Sequence, residues 1–198
     1  MAQDKASRGD GNGSDKYHAI VLAAAELFAE RGYSATSVRD IGHRVGLLGG
    51  SLYHHIKSKD ALFLEIHTNA THTAIARIQT ALELVSEPWE RLEAACAEQL
   101  DIQLNSDTIT RVLMEDFRAV PDETRAKLVA QRDSFEQIFA ALVADLPLPA
   151  EIDRSLYRIF LLSILNNVPG WYRPGKSSPA EIAHQIVMSL RHDAAGRA

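Results

Sequence analysis

Ser51, Tyr53, His54 and Lys59 bring a hydroxyl, a phenol, an imidazole and an ammonium into one short stretch of chain. All four donate hydrogen bonds and one carries a full charge, which is chemistry for holding phosphate oxygens. Upstream, Thr36 and Ser37 add two hydroxyls at the start of a helix, where free backbone amides also favour an anion. Arg39 adds a guanidinium that reaches a phosphate or a base edge. Gly49 and Gly50 remove side chains that would hinder a helix from settling into a groove. Leu48, Gly49 and Ser51 fall where base edges would be met, and they are small or apolar. Thymine-methyl contact and shape readout are therefore expected alongside few bidentate pairs. The set fits a reader of duplex DNA.

These residues need helices to position them, and helical spacing recurs along the chain with no run of alternating polar and β-branched residues. Ile20, Ala24, Leu27 and Phe28 form a stripe that stops at Gly32. Ser37 and Asp40 make a capping box with Asp in place of Glu, and Val38, Ile41 and Val45 give the next stripe, ending at Gly46. Leu48 and Leu52 anchor a short third helix, His55 turns toward the core, and Ser58 caps a fourth helix reaching about Leu84. Beyond it, helices are expected over 88–104, 107–119, 121–145, 150–168 and 178–193, with prolines at or near the joints. Pro169-Gly170 is read as the end of the 150–168 helix. The expected fold is all-α with nine helices. Residues 1–15, rich in Gly, Ser and Asp, read as a disordered tail, 16–60 as a helix-turn-helix head, and 61–198 as a bundle.

The 198 residues carry a net charge of −5, which suits DNA poorly until it is divided. Residues 1–60 hold eight Lys/Arg against seven Asp/Glu and four of the eight histidines, and the remainder holds thirteen against nineteen. The acid lies in the part that does not face DNA. No apolar run approaches the ~20 residues that span a bilayer. The single Cys96, in an apolar-periodic segment, reads as a buried structural thiol in a reducing, cytoplasmic setting.

The stretches AA..LF...GY..TSV.DI at 24–41 and G..GSLYHHI.SKD.L at 46–62 resemble the DNA-binding head of the TetR family of one-component transcriptional repressors. The resemblance implies a homodimer whose bundle binds a small-molecule effector and whose last two helices, near 150–168 and 178–193, pair with their symmetry mates. Two positions depart from the family's pattern: Gly42 stands where Ala is usual, and Leu48 where a capping Ser is usual. They imply an altered operator preference rather than lost binding. The LYHHI stretch at 52–56 and the WYRPGK stretch at 171–176 are similar to a subset responding to acyl-CoA thioesters, although Lys176 replaces a glycine of that pattern. An acyl-CoA effector is what this second resemblance implies; a hydrophobic drug or lipid is the alternative.

In the bundle, Met114, Phe117, Phe139, Arg158, Asn167 and Trp171 are the candidate effector-lining residues. Asn167 lies on the stripe Leu156, Ile159, Phe160, Ser163 and Ile164, so its amide needs a partner: a symmetry mate, a backbone carbonyl or a ligand. Arg154 and Arg158, one turn apart, suit either an anionic effector or pairing with Glu151 or Asp153. Trp171 and Tyr172 form the lip of a pocket or brace the last helix.

Enzymatic chemistry finds no footing. GGSLY is not a nucleophile elbow, there is no phosphate-cradling GxxxxGK loop or dinucleotide fingerprint, and no cysteine cluster offers a metal site. His67 and His72, five apart, do not share a helix face as metal ligands would. No cofactor or metal is expected. A helical interaction module without DNA binding is the rival reading, and it leaves the TSV…GGSLYHH…SK combination unexplained.

Overall fold

Apolar residues at helical spacing and well-formed caps decide this architecture, seen in a computed structural model that describes residues 9–105, 112–114 and 118–191. Among them are eight α-helices, one short 3-10 turn and no strand: α1 (Gly9–Ala35), α2 (Val38–Arg44), α3 (Gly49–Leu52), α4 (Lys59–Glu83), α5 (Pro88–Asn105), the turn Val112–Met114, α6 (Asp122–Ala144), α7 (Arg154–Trp171) and α8 (Pro179–Leu190). The all-α class is as expected, but the count is one short of nine. Where a helix over 107–119 was expected, only the turn Val112–Met114 is described. Three residues at three per turn suffice to deliver Val112, fully buried, to the core. Phe117 and the side chain of Met114, both expected to line a pocket, lie outside the described residues, as do residues 1–8 of the expected tail. α1 already begins at Gly9, inside that tail.

The chain divides into two compact units, Met1–Ala70 with Asp107–Val129, and Thr71–Ser106 with Ala130–Ala198. In the first, Ile20, Leu27, Phe28, Ile41, Leu52, Phe63 and Ile66 form a core joined by Val112, Val120 and Leu128 from the distant segment. Phe28, Tyr33 and Phe63 meet edge-on or stacked, with ring centroids 5.0 to 6.1 Å apart. This aromatic trio, worth more than its area alone, fixes the end of α1 against the start of α4.

In the second unit α5 lies against α8, and Leu92, Cys96, Leu100, Phe139, Leu161, Leu165 and Val168 lie at the core. Asp153 caps α7 by accepting from the amides of Ser155 and Leu156 at 2.8 and 3.0 Å. Ser178 and Glu181 form a reciprocal capping box on α8, with Pro179 at its first turn. α7 does not stop at Pro169-Gly170 but runs on to Trp171. A proline in the final turn forfeits one amide, and the Tyr172 amide still reaches the Val168 carbonyl at 2.9 Å.

Candidate nucleic-acid interface

The face is built from the end of α1 onward. Gly32 adopts φ 78°, a left-handed conformation that ends the regular helix there. Ser37 then caps α2: its hydroxyl accepts from the Asp40 amide at 3.1 Å, while its amide donates to the Asp40 carboxylate at 2.9 Å. The Ser37 hydroxyl, which also donates to the Asp40 carboxylate, and then the Ser37 amide hold that carboxyl below its usual range. Arg44, at the far end of α2, pairs with Glu26 at 2.9 Å and Glu30 at 3.2 Å on α1. Exposed pairs of this kind set orientation more than stability. The turn to α3 needs Gly46, at φ 68°.

Ser37, Arg39, Gly50, Tyr53 and His54 are all exposed, and Leu48 is 83% and Tyr53 58% open to solvent. The side chains of Arg39 and His54 have no hydrogen-bond or ion-pair partner among the described residues. Ser51 is half-buried, and Gly49 occupies the first position of α3. Leu52, fully buried, and Ile56 anchor this segment from inside. Leu48 is no anchor; it precedes α3 with no side-chain cap, and its isobutyl group stands in water. Gly50 is informative because neither of the usual internal reasons for glycine applies. Its φ is not positive, and a Cβ built there meets nothing within 4 Å.

Two expected phosphate contacts face elsewhere. Thr36 is 1% exposed, and its hydroxyl donates to the carbonyls of Leu27 at 3.1 Å and Gly32 at 2.9 Å. Both carbonyls lie in the last turns of α1. Lys59 donates from Nζ to the carbonyls of Tyr33 at 2.9 Å and Thr36 at 3.0 Å, with its ammonium 3.9 Å from the centre of the Tyr33 ring. It is half-buried, and two of its three protons are committed to this junction, so it positions the face rather than reaching out as a free cation. Spacing alone did not separate hydroxyls that cap from hydroxyls that reach outward. Arg31 and Lys57 are exposed cations that no motif singled out. Arg31 lines a shallow groove with Asp40, His43 and Arg44, and its nearness to Asp40 becomes evident only after folding.

The candidate effector residues are not gathered in one place. Phe139 is a fully buried core residue, and Arg158 pairs with Glu136 at 2.8 Å. Asn167 is exposed, its amide donating weakly to the Ser163 carbonyl at 3.4 Å, and Trp171 is exposed. The stripe containing Asn167 faces outward along its length: Leu156, Ile159, Phe160 and Ile164 are all open to solvent. Arg154 donates to the Leu146 carbonyl at 3.0 Å rather than to a carboxylate. His55 is half-buried rather than in the core. Cys96 is buried as expected, and burial pushes its thiol pKa up, away from reactivity. Among the described residues no helix is long and apolar enough to cross a membrane.

Comparison with known proteins gives two family matches. Residues 20–66 match the family described as bacterial regulatory proteins, tetR family, and residues 85–193 match the tetracyclin repressor-like C-terminal domain. The chain is 29% identical over 178 residues to the HTH-type transcriptional repressor KstR2 of Mycolicibacterium smegmatis, covering 86% of each chain. Among solved structures it is similar to the TetR family transcriptional regulator PfmR from Thermus thermophilus, at 29% identity and a TM-score of 0.74, covering 88% of this chain and 94% of that one. AibR, solved in complex with isovaleryl coenzyme A and operator DNA, superposes with a TM-score of 0.77 at 22% identity, over 88% of this chain and 97% of AibR. At that identity the likeness is one of fold.

Proposed function

The chain belongs to the tetR family of bacterial regulatory proteins, and from that premise we propose that it is a cytoplasmic, homodimeric repressor released from its operator by an acyl-CoA thioester. Two heads enter successive major grooves of a near-palindromic site, with half-site centres roughly 34–36 Å apart or a multiple of that. Ser37, Tyr53 and His54 bind the sugar–phosphate wall. Arg39 reaches a phosphate or a base edge, and Leu48, Gly49, Gly50 and Ser51 meet the groove floor. The observation that carries this reading is the outward face of α2 and α3, whose composition nothing inside the protein requires: Gly50 with open space around its Cβ and Leu48 standing in solvent.

The dimer is supported by the apolar stripe of α7, since Leu156, Ile159, Phe160 and Ile164 form too continuous an exposed surface for a solvated helix. The effector class is supported by the WYRPGK stretch and, in a protein alike in fold, by AibR's bound isovaleryl coenzyme A. A ligand acts only through its difference in affinity between the operator-fitting form and the other. Mobility-shift assays with DNA from upstream of the protein's own gene test the reading, followed by a screen of CoA esters against their free acids for release. Retention only at very low salt, without preference for that DNA, would favour the rival interaction module. Release by the free acids as readily as by the esters would favour a lipid effector.

A further inference from the structure

One polar cluster in the second unit is incompletely satisfied. Gln99 and Gln103, one turn apart on α5, both donate from Nε2 to the same acceptor, Asn166 Oδ1 on α7, at 3.1 and 2.9 Å. Gln99 is only 5% exposed. The carbonyl oxygens of both glutamines are buried and have no hydrogen-bond partner among the described residues. Turning all three amides over does not remove the deficit: Asn166 Nδ2 would then serve both carbonyls, and both glutamine NH2 groups would be left instead. One amide between two matches the near end of each glutamine and leaves the two far ends unmatched. Orphaned buried groups of this kind each cost more than an ordinary hydrogen bond contributes.

We propose that Gln99 and Gln103 form a subsite for the amide groups of the effector's pantetheine-like arm, and that Asn166 occupies part of it in the free protein. The inference rests on the acyl-CoA reading above and adds the residues that recognise the arm. A secondary amide carries both a carbonyl and an N–H, so it supplies whichever partner the glutamines lack. A hydrocarbon chain supplies neither. Access is from Asn166, which is exposed while Gln99 is buried. When the ligand enters, Asn166 swings aside into water, where its amide is solvated at little cost. The carbonyl of one ligand amide takes over the glutamine N–H groups, and the N–H of the arm's second amide reaches one of the orphaned oxygens.

The arrangement predicts effects of opposite sign from residues in direct contact. Gln99→Leu removes an orphaned group from the free protein and a partner from the ligand. Affinity for the arm falls about tenfold, the equivalent of one hydrogen bond, while thermal stability stays level or rises. Asn166→Ala empties the competing position and tightens binding about threefold or more. The test is calorimetric titration of wild type and both variants with isovaleryl-, octanoyl- and palmitoyl-CoA and their pantetheine thioesters, with melting temperatures measured in parallel. The pantetheine thioesters keep both amides but lack the nucleotide, so the same opposite shifts must appear with them. Equal affinities across the three proteins, or shifts confined to the CoA forms, overturn the inference and leave the acyl-CoA reading standing. No binding of any thioester to wild type overturns both.

Discussion

Gly50→Ala separates folding from DNA binding more cleanly than any other single change in the head. A Cβ at this position finds nothing within 4 Å, and the backbone is not in a region reserved for glycine. The free protein gains helix propensity, up to ~1 kcal/mol in a long helix and less in a segment as short as α3. For a protein of this size that amounts to a melting temperature raised by at most about 2–4 °C. If α3 enters the groove as proposed, the new methyl meets the groove floor, and forcing a methyl into a close-packed contact costs about 1–3 kcal/mol, or roughly 5- to 150-fold in operator affinity per half-site. Fluorescence anisotropy at fixed salt, on operator and on scrambled DNA, reads the loss. Scrambled DNA, held through the phosphates without close docking, should lose less. Unchanged operator affinity would show that α3 does not approach the duplex at Gly50, and a lowered melting temperature would show that the position is internally constrained after all.

Lys59→Met should lower stability by about 2 kcal/mol, through two charge-assisted bonds to the carbonyls of Tyr33 and Thr36, while leaving the salt dependence of DNA binding nearly unchanged. Arg39→Ala should do the reverse, flattening the slope of log affinity against log salt by about one with no change in melting temperature; equal slopes for the two variants would refute the division of labour. Phe160→Glu, at a side chain 57% exposed, should give a folded monomer in sedimentation analysis, and a surviving dimer would place the interface elsewhere. Burial raises the Tyr157 pKa to about 12 from its ordinary 10. The unfolded chain therefore sheds this proton first, and stability present below pH 10 is lost as pH rises through 12. Urea titrations at about pH 9 and about pH 11, on either side of the ordinary phenol pKa, should show that loss reduced in Tyr157→Phe. Leu48→Ser should supply the missing cap of α3, stabilising by about 0.5–1 kcal/mol, and change operator preference at one base position, a change readable by selection from randomised half-sites.

Most of the helices were legible because their signals are local. Ser37 with Asp40, Ser58 and the prolines at the joints mark helix starts within a few residues, and apolar spacing carries the helices between them, whereas Asp153, read as a partner for an arginine, instead caps α7. What escaped depends on contacts distant in sequence. Thr36 lies beside a capping serine and reads like it, yet its hydroxyl turns inward and donates to the carbonyls of Leu27 and Gly32, contacts that exist only once α1 is folded against it. Lys59 reads as a free cation until the Tyr33 and Thr36 carbonyls arrive from another helix. Val112, Val120 and Leu128 complete the core of the first unit from a segment well beyond α4, and no periodicity announces that. The α7 stripe was visible as apolar, but whether it faced a core or a partner depended on which side the rest of its unit covered.

The inward turn of Thr36 and Lys59 alters what the head is for. A face whose cations and hydroxyls all pointed outward would grip phosphate strongly at the expense of its own shape. Here the first two residues of α4 reach back to the end of α1: Lys59 to two carbonyls and to the Tyr33 ring, Asp60 to the Tyr33 hydroxyl. Burial, with the Asp60 bond, pushes that phenol's pKa up and keeps it a donor at any physiological pH. The segment joining α1 to α2 is therefore tied to the start of α4, and the end of α1 cannot separate from α4 without breaking these contacts together.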